Sequence, residues 1–345
     1  MVAVMQVMAG AAVGGAEAFF ERLVVAMGAR SVDQTVVLRN HPDRVARLRR
    51  AGIDPVTLRF GGRMDVVTRF KLRRLIAARR PQIVLSWMNR ATAAVPRRNG
   101  GQRFVFAARL GGFYNLKYYR HCDHLVANTN GIRDYVIAAG WDPARVHYLP
   151  NFVDESDAPV RSRSDLGLPS DRPLIFAAGR LHRNKGFDIL IRALALVPSA
   201  HLCIAGSGPL DRDLRRLADE VGVGARITWL GWVDGLAAYY RTADVFVCSS
   251  RHEPLGNVVV EAWAAGCPVV AVAAQGPSEL IEDGVSGVLA PLEDHEGLAG
   301  AIATVITQDD LAQTLSEAGR RRYLDAFTRE AVVERYLAFF GEIVR

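Results

Sequence analysis

Short apolar segments alternate with amphipathic, helix-length segments along the whole chain, and few architectures accommodate that alternation. It is how repeated β-α units with parallel strands read. In the first half the apolar runs predict strands at Val2–Met8, Thr35–Leu38, Val56–Leu58, Ile83–Trp87, Phe104–Ala107, His124–Ala127 and Val146–Tyr148. A second series begins at Pro173–Arg180 and continues at His201–Ala205, Ile227–Leu230, Val245–Cys248, Val269–Val272 and Gly287–Leu289. Between the series, Leu149–Asp154 leads into a polar stretch with Pro159 and alternating Arg and Ser, ending at Pro169-Ser170-Asp171, which reads as a linker. At roughly 150 residues per domain, the 345 residues allow two domains, 1–150 and 151–327. Residues 328–345 carry Val332, Val333, Tyr336, Leu337, Phe340 and Ile343 at helical spacing and predict a terminal helix packing back on the first domain. The economical picture is α/β: two similar Rossmann-like domains facing across a cleft, with a ligand at the carboxyl ends of the strands.

Composition narrows the function classes. Half the residues are hydrophobic and 23% are charged, which excludes a disordered tail protein and a polytopic membrane protein. Cys122, Cys203, Cys248 and Cys267 lie singly, without disulfide-framework or CxxC spacing, so a reducing compartment is expected. The apolar first twenty residues lack a basic leader and contain Glu17; they read as a strand and a Gly-rich turn. Even the apolar region 254–275 is broken by Glu261, Gly266 and Pro268, so a soluble or peripheral protein is expected. Residues 1–150 hold 24 Lys and Arg against 9 Asp and Glu, whereas the remainder holds 19 against 27. The basic residues crowd between Arg39 and Arg80. They read as a solvated helical face or a surface docking on anionic lipid; nucleic acid ranks last, because no recognised nucleic-acid-binding pattern accompanies the charge.

Three loops carry chemistry. In Arg251–Val270, Pro254 and Gly256 shape a loop after the Val245 strand and a helix starts near Asn257, offering unpaired N–H groups and a positive dipole end to an anion. Glu253 lies in that loop and Glu261 just over a turn inside the helix, so one carboxylate reaches the tip of a ligand and the other its middle. In Gly179–Asp188, Arg180 supplies a planar fork of donors and Lys185 a compact charge, both suited to a diphosphate. The Gly10–Glu17 turn lets backbone approach a ligand closely. Neither it nor Ala205–Pro209 is a GxGxxG fingerprint, which weakens a nicotinamide-dinucleotide reading.

The E-x7-E pair Glu253/Glu261, the GR-x4-KG-x-D string at Gly179–Asp188, GGAE at Gly14–Glu17, AGSGP at Ala205–Pro209 and W-L-G at Trp229–Gly231 occur in family order over nearly the whole chain. On these motifs the sequence resembles retaining glycosyltransferases of the family 4 type, which have the GT-B fold. The resemblance implies that Glu253, Arg180 and Lys185 are the catalytic set, with Arg180 and Lys185 gripping the donor diphosphate and Glu253 the sugar hydroxyls near the reacting carbon. Backbone of Gly14, Gly15, Leu255, Gly256, Asn257 and Val258 would surround the diphosphate and Glu261 would bond the ribose. Gly206, Ser207 and Gly208, with Trp229 and Leu230, would border the base. Many relatives place a His near the acceptor, where this chain has Phe106–Tyr114, so Arg109 is expected to take part of that role or to bind a phosphate of the donor or acceptor, with Asn89 lining the same cleft.

The implied activity is transfer from a nucleotide sugar, a UDP-sugar ahead of GDP-mannose, to a glycan or lipid-linked acceptor in lipopolysaccharide or other envelope polysaccharide synthesis, with domain 1–150 binding the acceptor and domain 151–327 the donor. The expected place is the cytoplasm, peripherally at the inner face of the membrane. No cofactor and no metal are expected; Asp211 and Asp213 match a D-x-D pattern but open a helix, where the dipole favours acids. The alternatives are a GT-B-like sugar-nucleotide epimerase and a nonenzymatic nucleotide-sugar or glycan-binding protein.

Overall fold

A computed structural model of the chain describes residues 2–12, 14–30, 32–62, 65–96, 104–156 and 161–345. The chain divides into two compact units, Met1–Phe152 with Arg329–Arg345, and Val153–Thr328. The first unit runs β1 (Ala3–Met8), α1 (Gly15–Ala29), β2 (Asp33–Arg39), α2 (Pro42–Arg50), β3 (Val56–Leu58), α3 (Val66–Arg79), β4 (Ile83–Trp87), α4 (Met88–Ala94), β5 (Val105–Leu110), β6 (His124–Ala127), α5 (Asn130–Ala138) and β7 (Val146–Tyr148). The second runs β8 (Leu174–Ala178), α6 (Phe187–Ala195), β9 (His201–Ala205), α7 (Asp211–Glu220), β10 (Ile227–Gly231), α8 (Ala237–Thr242), β11 (Val245–Cys248), α9 (Asn257–Ala264), β12 (Val269–Val272), α10 (Gln275–Leu280), β13 (Val288–Ala290), α11 (His295–Thr307) and α12 (Asp309–Ala326). The chain then returns to the first unit as α13 (Arg329–Ile343).

The first sheet has the order β3-β2-β1-β4-β5-β6-β7 and the second β10-β9-β8-β11-β12-β13. Every strand pair among the described residues is parallel. Parallel strands are covered by helices on both faces, so they are largely apolar; β4 and β8 are buried at every residue. In each sheet the strand order reverses once, between β1 and β4 and between β8 and β11. A ligand crevice in an open parallel sheet forms at such a reversal, beyond the carboxyl ends of the strands. The turn after β1 and the start of α4 in one unit, and the loops 179–186 and 249–256 in the other, leave the sheets at these two points.

The first core is completed from far along the chain. Val332, Val333, Tyr336, Phe339 and Phe340 of α13 are buried with Phe19, Phe20 and Trp87, the last two meeting edge to face. Burying such side chains removes about 1.5–3 kcal/mol of apolar exposure each, which fixes α13 as an integral layer of this unit.

Candidate active site

In the second unit the loops after β8 and β11 are laced together. Ser249 Oγ donates to the carbonyl of Lys185 at 2.9 Å, and His252 N–H donates to the carbonyl of Asn184 at 3.2 Å. Arg251 donates to both carboxylate oxygens of Asp188 at 2.6 and 2.7 Å and also bonds Glu293, and these acids raise its pKa. Desolvation opposes ionisation of Asp188, but the Arg251 bonds win and its pKa is lowered. The rigid junction sets Lys185 against Glu253: the ammonium and carboxylate form an ion pair, with side-chain exposures of 23% and 12%. Ser250 Oγ donates to the same carboxylate at 3.4 Å. Arg180 is exposed on the loop after β8.

Four residues beyond Glu253, α9 begins without any side chain capping its first turn, Gly256 occupying the cap position. An uncapped helix start presents donors and a positive dipole end. Glu261, one turn in, accepts a hydrogen bond from Tyr240 Oη at 3.0 Å. Tyr240 is buried against Phe176 and Phe246, and that burial, with the Glu261 charge, raises its phenol pKa well above the ordinary value. The loop after β9 touches the loop after β8 backbone to backbone: a Cβ on Gly206 would lie 1.8 Å from the Gly179 carbonyl oxygen, and one on Gly208 2.4 Å from that of Leu181. Ser207 accepts from Leu181 N–H through its carbonyl. Trp229 and Leu230 are half-buried on β10, and the Arg215 guanidinium lies 4.7 Å from the Trp229 ring. Leu255, Asn257 and Val258 are half-buried around the α9 start.

In the first unit, the turn after β1 is held from several sides. Glu17 is folded under it, 7% exposed, and accepts from Ala11 N–H at 2.7 Å. A Cβ on Gly10 or Gly14 would strike that carboxylate at 2.3 and 2.2 Å, which explains why glycines flank the turn. Arg44 donates to the carbonyls of Ala11 and Ala12 at 2.8 and 3.0 Å and to Glu21 at 2.7 Å. Gly14 and Gly15 lead into α1, and Asn89 follows β4 across the strand reversal.

Two comparisons cover the chain. Residues 161–322 match the family described as Glycosyl transferases group 1, and residues 13–157 match Glycosyltransferase Family 4. The lipopolysaccharide core biosynthesis glycosyltransferase LpsE of Rhizobium meliloti (strain 1021) is 33% identical over 333 residues, spanning 94% of this chain and 95% of its own. The chain belongs to glycosyltransferase family 4. Among solved structures, a glycosyltransferase from Rickettsia africae ESF-5 superposes with a TM-score of 0.89 at 17% identity, covering 100% of this chain and 99% of that one. Anabaena Alr3699/HepE in complex with UDP and glucose gives 0.81 at 19% identity, covering 99% and 100%. Both units are therefore Rossmann-like halves of the GT-B fold.

Within this family 4 glycosyltransferase, one expected site residue lies elsewhere than the sequence reading placed it. Arg109 sits near the end of β5 and is 1% exposed, its guanidinium donating to Tyr336 Oη at 2.8 Å and Asn151 Oδ1 at 2.6 Å. Phe19 and Trp87 flank it from one side, each ring centroid 4.8 Å away and the two centroids 6.0 Å from each other. So enclosed, it fastens α13 to the sheet and presents no charge to an acceptor. Asp211 and Asp213 pair with Arg215 and Arg216 on their own helix. Tyr240 and Arg44 escaped the sequence reading: Tyr240 stands outside any motif, and Arg44 lies in the basic run but is 1% exposed.

Proposed function

We propose that this glycosyltransferase moves a sugar, with retention of anomeric configuration, from a nucleotide-sugar donor to a glycan or lipid-linked acceptor of the lipopolysaccharide core or another envelope polysaccharide. A UDP-sugar is favoured over GDP-mannose. The LpsE relative supports the acceptor class by its name. The Anabaena structure, solved with UDP and glucose, supports the donor class.

The observation that carries the reading is the Lys185–Glu253 pair beside the uncapped start of α9. A diphosphate arriving at that helix start competes for Lys185, which with Arg180 takes the charge that develops as the sugar C1–O bond breaks. Released from the ammonium, Glu253 accepts from donor-sugar hydroxyls and holds the reacting carbon in place. The acceptor hydroxyl oxygen bonds to C1 on the face the diphosphate leaves, and its proton passes to the departing phosphate oxygen. Glu261, oriented by Tyr240, accepts from the ribose. The two cations carry the leaving-group charge without a resident metal.

A peripheral place on an anionic membrane is part of the proposal. Val66, Val67 and Phe70 of α3 are 71%, 45% and 60% exposed, and Lys71 and Arg74 share their face. Apolar insertion flanked by cations is how a helix lies on anionic lipid. Among the described residues no helix is long and apolar enough to cross a membrane.

The deciding experiment is a thermal-shift panel with UDP, GDP, ADP, CMP, NAD and sugar conjugates. At a hundred times Kd, a bound ligand stabilises by about 2.7 kcal/mol. One nucleoside diphosphate is expected to raise the transition by a few degrees in the parent and much less in Lys185→Ala. No response to any nucleoside diphosphate, or a response to NAD alone, would refute the donor site.

A further inference from the structure

With Arg109 enclosed, the first unit presents other cations beyond the carboxyl ends of its strands. A cavity of about 710 Å³ opens between the start of α3, α4 and the turn after β5. Its lining includes Phe60, Arg69, Asn89, Arg90, Lys117 and Tyr118. Arg69, Arg90 and Lys117 are exposed, and no acid among the described residues forms an ion pair with them. One carboxylate, Asp65, also borders the cavity. Its oxygens accept from Thr68 Oγ1, Thr68 N–H and Gly61 N–H, bonds that lower its pKa to about 2 and hold it at the start of α3, so the lining sets three cations against one anion.

Three further features mark the cavity as built for a ligand. Asn89 Oδ1 is buried yet has no hydrogen-bond partner, an arrangement that native interiors rarely tolerate unless something else supplies the donor. Phe60 and Met88, at the two strand ends that border the cavity, have φ of 48° and 60°, left-handed values that non-glycine residues seldom adopt and that concentrate at functional sites. Tyr118 is 38% exposed, and the Lys117 ammonium lies 5.0 Å from its ring centroid, so an aromatic surface and a charge are presented together.

We propose that this cavity takes an anionic sugar of the acceptor, its phosphate or carboxylate held by Arg69, Arg90 and Lys117, a hydroxyl on Asn89 and the ring against Tyr118. The inference rests on the reading that the first unit binds the acceptor. It supplies what that reading lacked, the acceptor's charge and the residues that recognise it. Fork-shaped guanidiniums and a point-charge ammonium suit the oxygens of a phosphate or carboxylate. Sugar rings carry an apolar face that matches an exposed tyrosine.

The test is saturation-transfer NMR of glucose 6-phosphate, glucuronate and glucose with the full chain, alongside co-sedimentation with phosphatidylglycerol vesicles. Both anionic sugars are expected to bind in preference to glucose, and the preference to fade with salt. Arg69→Ala/Lys117→Ala should weaken them about tenfold or more, as loss of charge-assisted bonds does. Tyr118→Ala should weaken the sugar phosphate but leave inorganic phosphate unchanged. Equal binding of anionic sugars and glucose, or equal binding by parent and double variant, would overturn the proposal. So would loss in Lys185→Ala alone, which assigns the phosphate to the donor loop, or a double variant that loses only vesicle binding, which assigns these cations to lipid. The nucleotide thermal shift is read on the same samples and should survive in the double variant. Its absence everywhere counts against the donor site while the cavity is still judged on the sugar phosphate.

Discussion

Replacing Arg109 with alanine should cost stability before it costs recognition. The guanidinium gives charged hydrogen bonds to Tyr336 Oη and Asn151 Oδ1 and lies against two aromatic rings. Hydrogen bonds to a charged group contribute about 1.5–3 kcal/mol each, and a desolvated cation over an aromatic ring about 2. Part of this offsets the cost of holding an unpaired charge away from water, so the net loss is about 3–5 kcal/mol once the cavity left by truncation is included. At roughly 2–4 °C per kcal/mol for a unit of this size, the transition of the first unit should fall by about 10 °C. Denaturation of Arg109→Ala, Tyr336→Phe and the double variant measures the coupling directly. About 1–2 kcal/mol is expected between Arg109 and Tyr336. Limited proteolysis should cut near Arg329 faster in the variant. Parent-like melting of Arg109→Ala together with a collapse in acceptor KM would refute this reasoning and return Arg109 to the acceptor.

Other outcomes follow from the same geometry. Tyr240→Phe removes the donor that orients Glu261 and should weaken nucleoside diphosphate binding about tenfold; titration calorimetry showing parent affinity would break the link. Turnover should persist in EDTA, because Arg180 and Lys185 are assigned the leaving-group charge; loss on chelation with recovery on adding a divalent cation would reverse that assignment. His124 meets Phe339 of α13 edge to face and His147 meets it tilted, and burial lowers both pKa values below the ordinary 6.5. A depressed histidine favours the folded state above 6.5 and loses that contribution as pH falls through the folded value. The urea midpoint should therefore drop between pH 7 and pH 5, and drop less in His147→Gln; an equal drop in both proteins would remove the histidines from the account.

Most of the fold was legible because parallel strands write themselves as uninterrupted apolar runs: Ile83–Trp87 and Val245–Cys248 are strands as read from the sequence. The loop after β9 was equally visible, since close backbone approach demands glycine at 206 and 208. Side-chain direction was not. Arg109 is expected at the acceptor because it stands in the segment where many relatives carry a His, yet β5 continues through Leu110 and turns Arg109 into the core. The basic run hid a similar division. Arg44 and Arg47 share Glu21 and Arg49 pairs with Asp54, whereas Arg69 borders an open cavity. For Arg44 and Arg47 the partner is brought from 23 and 26 residues away, and spacing along the chain carries no record of it.

The return of the chain at Arg329 also orders events during synthesis. Phe19, Phe20 and Trp87 emerge early, but the α13 residues that cover them follow the whole of Val153–Thr328. At about 5–20 residues per second, the nascent first sheet waits on the order of ten seconds or more with an aromatic flank uncovered. The second unit, contiguous in sequence, closes its own core as it is made. The half begun first is thus finished second, and in the interval its exposed rings are the part of the molecule that chaperones would meet.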